Sequence, residues 1–239
     1  MMKKVGLIFV SISALLLGAC GNSTASEDGK LNIVTTFYPV YEFTKQVAGD
    51  EANVDLLVKA GTEVHDYEPS AKDIARIQEA DVFVYENENM ETWVHDIEES
   101  IDTSKVSVIR ATEGMLLLLG SEEGEDHDQS EEGHSHAYDP HVWLSPARAI
   151  TLVETIRDSL VAKYPEKKDT FETNAAAYIE KLDALDTKYS ETLSAAKQKY
   201  FVTQHTAFSY LALDYGLKQV SITGVAADED STPSRLAEL

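Results

Sequence analysis

The longest uninterrupted helical pattern in this chain lies between Glu166 and Gln198, a stretch without glycine or proline. Apolar residues recur there at steps of three and four, at Phe171, Ala175, Tyr178, Leu182, Leu185, Tyr189, Leu193 and Ala196. The spacing predicts one amphipathic helix at 166–198, about 50 Å long at about 1.5 Å per residue. One α/β layer does not need a helix of this length. It either joins two lobes or forms part of a coiled-coil-like hairpin.

Strand candidates and helix candidates alternate on both sides of this helix. The β-rich runs lie at 31–37, 54–58, 81–85, 106–109, 200–203 and 219–223. Helix starts are indicated at Ser70, with Asp73 as its capping-box partner, and at Ser145, which precedes Pro146. The alternation predicts an α/β fold with parallel sheets covered on both faces.

The first residues are typical of an exported bacterial protein. Lys3 and Lys4 precede a mainly apolar stretch of 13 residues, Val5 to Leu17. This stretch is shorter than the roughly 20 residues that span a bilayer, but it suits the core of a signal peptide. It ends in Leu17-Gly18-Ala19-Cys20, which resembles a lipobox. We expect a signal peptide at 1–19, a lipid anchor on Cys20 and a polar tether at 20–30. An ordinary secretory signal with an incidental cysteine is the alternative.

Cysteine content and charge restrict the possible ligands and partners. Cys20 is the only cysteine, so no intrachain disulfide can form and an internal metal site must use His, Asp and Glu. The net charge is −22, and loss of the two lysines in residues 1–19 makes it −24. This acidic excess argues against nucleic acid and against electrostatic binding to anionic lipid.

Residues 121–137 interrupt the α/β pattern. Seven acids fall within 121–132, and His127, His134 and His136 lie among or just after them. The segment has almost no apolar content, so it is expected to be a solvated loop.

Three other histidines occupy equivalent places relative to the expected strands and helices. His65 follows the strand at 54–58, His141 precedes the helix start at Ser145, and His205 follows the strand at 200–203. Ligands of open α/β sheets bind beyond the carboxyl ends of the strands. Spacing alone leaves a shared metal site and three unrelated loop histidines equally open. His95 falls in a predicted helix and is interpreted as a structural or surface residue.

Four motifs, together with the lipobox, resemble the zinc and manganese solute-binding proteins of ABC importers, and among them the zinc-binding adhesion-competence lipoproteins. They are TFYP at 36–39, GTEVHDYEP at 61–69, DPHVWLSP at 139–146 and QHTAFSY at 204–210. The resemblance runs from Leu31 to Leu239. It implies two parallel-sheet α/β lobes joined by one rigid helix, with metal held in the cleft between them.

The resemblance also implies which residues bind the metal. His65 and His141 would come from a first lobe at 31–165, and His205 from a second lobe that begins at 199. The fourth ligand of the family is a carboxylate, expected beyond residue 239, so the second lobe at 199–239 is expected to be incomplete. Three imidazoles favour Zn²⁺, since Mn²⁺ prefers harder oxygen donors. Manganese-binding relatives look to have a glutamate at the position of His205.

The implied function is high-affinity zinc capture on the extracellular face of the cell membrane, with delivery to an ABC permease by a monomer anchored through Cys20. His127, His134 and His136 would either collect zinc weakly or belong to a merely solvated loop. A manganese-binding relative, a zinc enzyme and a surface adhesin are the alternatives. The enzyme is disfavoured because the chain has no His-Glu-x-x-His helix and no evident nucleophile.

Overall fold

A computed structural model describes residues 29–120 and 137–225. Four strands form a parallel sheet in the order β2-β1-β3-β4: β1 (Leu31–Thr35), β2 (Ala52–Leu56), β3 (Val82–Tyr85) and β4 (Ser107–Arg110). A second parallel sheet pairs β5 (Tyr200–Thr203) with β6 (Lys218–Ser221). Each strand predicted from the sequence is present, and its bounds move by no more than two residues. The parallel α/β class is therefore confirmed.

Six helices accompany these strands in the described ranges. They are α1 (Tyr38–Ala48), α2 (Ala71–Gln78), α3 (Val94–Glu98), α4 (Pro146–Lys163), α5 (Lys168–Ser194) and α6 (Ser209–Asp214). Short 3-10 turns lie at Gly49–Glu51, Val142–Leu144 and Pro165–Lys167. None of the helices in this part of the chain is long and apolar enough to cross a membrane. Cys20, His127, His134 and His136 lie outside the described residues.

The central strands β1 and β3 are buried on both faces of the larger sheet, and successive side chains of each strand point to opposite sides. On β3, Val82 and Val84 join the core formed with α1, α4 and α5, whereas Phe83 and Tyr85 join the core formed with α2 and α3. The sheet therefore has a helical layer on each face. Its carboxyl edge stays open to loops.

The helix α5 links the two sheets. Phe171, Ala175 and Leu182 pack it against the larger core, and near its other end Asp186 accepts a hydrogen bond from the Tyr215 hydroxyl at 2.7 Å. The helix α5 also packs against α4, which precedes it in the chain. It therefore both joins the two sheets and forms a helical hairpin with α4. With 27 residues it is about 40 Å long, shorter than the expected 166–198. Pro165 starts a separate 3-10 turn before the helix, and Lys199 Nζ binds the carbonyl of Ser194 at 3.2 Å at its end.

The two predicted helix starts differ in how they are capped. At α2, the Ser70 hydroxyl accepts from the Asp73 amide at 3.3 Å and Asp73 accepts from the Ser70 amide at 3.1 Å, a complete capping box. At α4, Pro146 is the first helical residue, but the Ser145 hydroxyl makes no cap. It donates instead to the Asp214 carboxylate at 2.7 Å. Ser145 is therefore the N-cap residue, as predicted, but its hydroxyl binds a charged acceptor, which gives the stronger bond, instead of a backbone amide of the helix.

Candidate metal centre

The three histidines predicted as ligands lie at carboxyl edges of the two sheets. His65 belongs to the loop between β2 and α2, and His141 directly precedes the 3-10 turn Val142–Leu144 that leads into α4. His205 lies two residues beyond β5. His141 is buried, and the other two are partly buried. This is the edge at which parallel α/β proteins bind their ligands.

The structure brings these three imidazoles together. One ring nitrogen of each lies within 4.8 Å of the others, and the Nε2 atoms of His65 and His141 are 3.2 Å apart. Zn–N bonds of about 2.0–2.1 Å in a tetrahedral site separate two nitrogens by about 3.3 Å. Shifts of about an ångström would therefore let all three bind one zinc ion. Within the described residues, no other group of three metal-ligating side chains is as close. His95 is exposed on α3, as its sequence context suggested.

The orientation of His141 is set by Asp139. One carboxylate oxygen of Asp139 accepts from Nδ1 of His141 at 2.8 Å and from its backbone amide at 2.9 Å. Both residues are almost fully buried. This contact places the proton on Nδ1 and leaves the lone pair of Nε2 directed at the other histidines. Asp66 and Glu68 also lie close to a candidate ligand, His65, in the sequence. Asp66 and Glu68 are exposed.

The backbone near the other two histidines is also fixed by side chains. Glu63 accepts from the backbone amides of Val64 at 2.9 Å and His65 at 3.3 Å, which shapes the turn before the ligand. The carbonyl of His205 accepts from the Thr203 hydroxyl at 2.8 Å and from the side-chain amide of Gln219 at 3.0 Å. Side chains of β5 and β6 therefore both hold the backbone at His205.

Two buried glutamates that the sequence reasoning missed lie near the Asp139–His141 pair. Glu91 accepts from the Thr36 hydroxyl at 2.5 Å and from the backbone amides of Glu86 and Asn87 at 3.0 and 3.1 Å. Burial raises its pKa to about 7, outweighing these hydrogen bonds, which lower it. Burial raises the pKa of Glu86 well above its usual value, and the charges of Glu91 and Asp139 add to the effect. The sequence feature that could have indicated them is the polar pair Glu86-Asn87, which directly follows the all-apolar strand β3.

Comparison with known proteins places this arrangement in a family. Residues 33–239 match the family of zinc-uptake complex component A, periplasmic, or ZnuA. The chain belongs to the ZnuA family. It is 68% identical over 239 residues to the zinc-binding lipoprotein AdcA of Streptococcus pneumoniae serotype 4, and the match covers 100% of this chain and 48% of that protein. It thus spans about half the length of AdcA.

One further relative and one solved structure support the same family and fold. The high-affinity zinc uptake system protein ZnuA of Bacillus subtilis is 48% identical over 243 residues, which cover 99% of this chain and 76% of that protein. The crystal structure of Zn(II)-bound AdcA from Streptococcus pneumoniae superposes with a TM-score of 0.75 at 66% identity. That superposition covers 88% of this chain and 43% of the AdcA chain. The two-lobe α/β fold expected from the motifs is confirmed.

Proposed function

We propose that this protein captures Zn²⁺ outside the cell with His65, His141 and His205 and delivers it to the permease of an ABC importer. The observation that carries the proposal is the approach of three imidazole nitrogens to within 4.8 Å, although they come from distant segments of the chain. The zinc-binding and zinc-uptake names of the relatives support it.

The donor set favours zinc over manganese. Imidazole nitrogen is a borderline-soft ligand that suits a four-coordinate zinc ion, whereas manganese takes more oxygen donors. The Asp139 carboxylate makes the imidazole of His141 a more basic ligand. A carboxylate from beyond residue 239 is proposed as the fourth ligand.

The origin of the ligands suits transport better than catalysis. His65 and His141 project from loops of the larger sheet, whereas His205 follows a strand of the smaller one. A movement between the lobes would separate His205 from the other two and release the ion to a permease. We propose lobes at 31–165 and 199–239 with a link at 166–198. We also propose a monomer held at the extracellular face of the membrane through a lipid on Cys20, a location that the lipoprotein name of AdcA supports.

Single alanine substitutions of the three histidines test the assignment. Zinc affinity is measured by competition with a chromophoric chelator in the full-length protein. Each variant is expected to lose more than the 10- to 100-fold that follows loss of an outer hydrogen-bond partner. His95→Ala is the matched control, because His95 is exposed on α3, and its affinity should equal that of the native protein. Native affinity in any of the other three variants would remove that residue from the site.

A second measurement tests delivery. Cells that carry each histidine variant are grown with a zinc chelator and then with added zinc. Growth should fail under chelation in the three site variants and recover with zinc. Equal growth of the native and site-variant strains under chelation would contradict a role in uptake.

A further inference from the structure

Tyr210 connects the two lobes from a fully buried position on α6. Its hydroxyl donates to the backbone carbonyl of Asp139 at 2.7 Å and accepts from the backbone amide of Leu118 at 3.0 Å. Both partners precede α4 in the sequence and belong to the larger lobe. The helix α6 follows β5 and precedes β6 along the chain, so it belongs to the smaller lobe. A single hydroxyl therefore bridges two backbone groups across the lobe boundary.

This bridge lies on a short path between two of the candidate ligands. Tyr210 is five residues after His205, in the segment that leads from β5 into α6. Its acceptor, Asp139, holds the ring of His141 through the side-chain carboxylate. The connection from His205 through Tyr210 and Asp139 to His141 does not pass through a metal ion.

The ring of Tyr210 is held in place by neighbouring charged groups. The guanidinium of Arg148 lies over the ring, 4.7 Å from its centroid, an arrangement that attracts the cation to the aromatic face. Arg148 also binds the Asp214 carboxylate through two nitrogens, at 2.8 and 3.0 Å. The third donor to that carboxylate is Ser145, at 2.7 Å. These contacts fix α6 against the start of α4 and hold the ring of Tyr210 in place.

We propose that Tyr210 is a positioning residue that sets the separation of His141 and His205 before zinc arrives. The inference rests on the proposed function, since it assumes that these histidines bind the ion. Groups already held in their bound arrangement lose less conformational freedom on binding, which strengthens affinity without a new contact. Tyr210 touches no metal. Its effect reaches the ion through Asp139 and through the segment that carries His205.

The variant Tyr210→Phe isolates the hydroxyl, because the ring still fills its site beneath Arg148. Two measurements are made on the full-length protein: zinc affinity by chelator competition, and the visible spectrum after cobalt replaces zinc, which reports coordination geometry. We expect Tyr210→Phe to bind one zinc ion per chain, about tenfold more weakly than the native protein does. This loss corresponds to the free energy of about one well-placed hydrogen bond. The cobalt spectrum should also change in intensity or position.

The matched control is Tyr85→Phe, which also removes a tyrosine hydroxyl from a buried ring. That hydroxyl donates to Glu88 at 2.7 Å and lies on the opposite face of the larger sheet, among α2 and α3. Zinc affinity and cobalt spectrum should match those of the native protein. Equal zinc affinity and spectra in the two Phe variants would overturn the positioning role.

Two outcomes separate this inference from the proposed function. If alanine at His65, His141 and His205 leaves zinc binding intact, the proposed function fails whatever Tyr210→Phe does. If those variants lose zinc and Tyr210→Phe does not, only the positioning role fails. If Tyr210→Phe does not fold, Asp214→Asn is tested in its place. The Asn substitution weakens the contact between Arg148 and α6 and keeps the Tyr210 hydroxyl. Weaker zinc binding in Asp214→Asn supports the inference, and native affinity overturns it.

Discussion

The replacement Asp139→Asn tests how much the buried carboxylate contributes to metal binding. Asn retains the size of Asp and an oxygen that can accept from His141, but it removes the negative charge. In the native protein one oxygen accepts both from the imidazole at 2.8 Å and from the backbone amide at 2.9 Å, with the side chains of both residues almost fully buried. Charge-assisted hydrogen bonds are about twice as strong as neutral ones, and burial excludes the water that would compensate.

The magnitude follows from the role of an outer hydrogen-bond partner of a metal ligand. Loss of such a partner weakens metal binding by about 10- to 100-fold, equivalent to about 1.4–2.7 kcal/mol. We expect Asp139→Asn to fall in this range, because the backbone bond and the position of His141 are retained while the imidazole becomes a poorer donor to zinc. The free energy of unfolding of Asp139→Asn should fall by less than its free energy of zinc binding.

Competition with a chromophoric zinc chelator at fixed pH and ionic strength measures the change. Asp81→Asn is the matched control, since the Asp81 carboxylate accepts from the Asn32 amide at 2.8 Å at the opposite, amino edge of the sheet. The control should bind zinc as the native protein does. Zinc affinity of Asp139→Asn within twofold of the native value would refute the reasoning, as would an equal loss in the control.

Three further predictions follow from the site and its surroundings. His205→Glu should shift the preference from zinc towards manganese, because oxygen replaces nitrogen; unchanged preference in a two-metal competition would place metal selection elsewhere. Deleting residues 121–137 should leave the tight affinity intact, because Leu119 and Tyr138 pair across an antiparallel bridge and hold the ends together. Calorimetry would show whether weak additional sites disappear, as weak zinc capture predicts, or stay unchanged, as a merely solvated loop predicts; loss of the tight site would mean that the loop supplies ligands. Between pH 4.5 and about 7 the native Glu91 keeps a proton that the unfolded chain releases, so the contribution of Glu91 to the unfolding free energy of the metal-free protein falls as pH rises, by about 3 kcal/mol. Urea unfolding should show a weaker pH dependence in Glu91→Gln, and equal dependence in both proteins would contradict the assignment.

Local sequence patterns predicted the elements of the fold because each pattern acts over a few residues. The strand at 200–203 coincides with β5, and Ser70 with Asp73 forms the expected capping box. The ends of α5 were less predictable. Its start depends on the 3-10 turn after Pro165, and its end on a lysine side chain that reaches back to the last carbonyls. Such competing local contacts do not alter hydrophobic periodicity.

The candidate site was predictable where its residues follow strands, and less so where they act through distant partners. From the sequence, His65 and His205 could be placed after strands, and His141 could be placed before the start of a helix. Asp139 could not be chosen over its neighbours, because the choice depends on the backbone at His141, with φ −77° and ψ 43°, which turns the ring towards Asp139. Tyr210 has an apolar, helical context that indicates core packing. Its bond to Asp139 spans 71 residues and exists only in the folded chain.

The central claim is that one zinc ion binds His65, His141 and His205 together. A crystal structure of the zinc-loaded full-length protein, with anomalous data collected at the zinc absorption edge, tests it most directly. The account predicts one strong anomalous peak at about 2.0–2.1 Å from a ring nitrogen of each histidine. For His141 that nitrogen should be Nε2, because Nδ1 faces Asp139. A zinc peak that is bonded to other residues, or that leaves any one of the three histidines uncoordinated, would contradict the account.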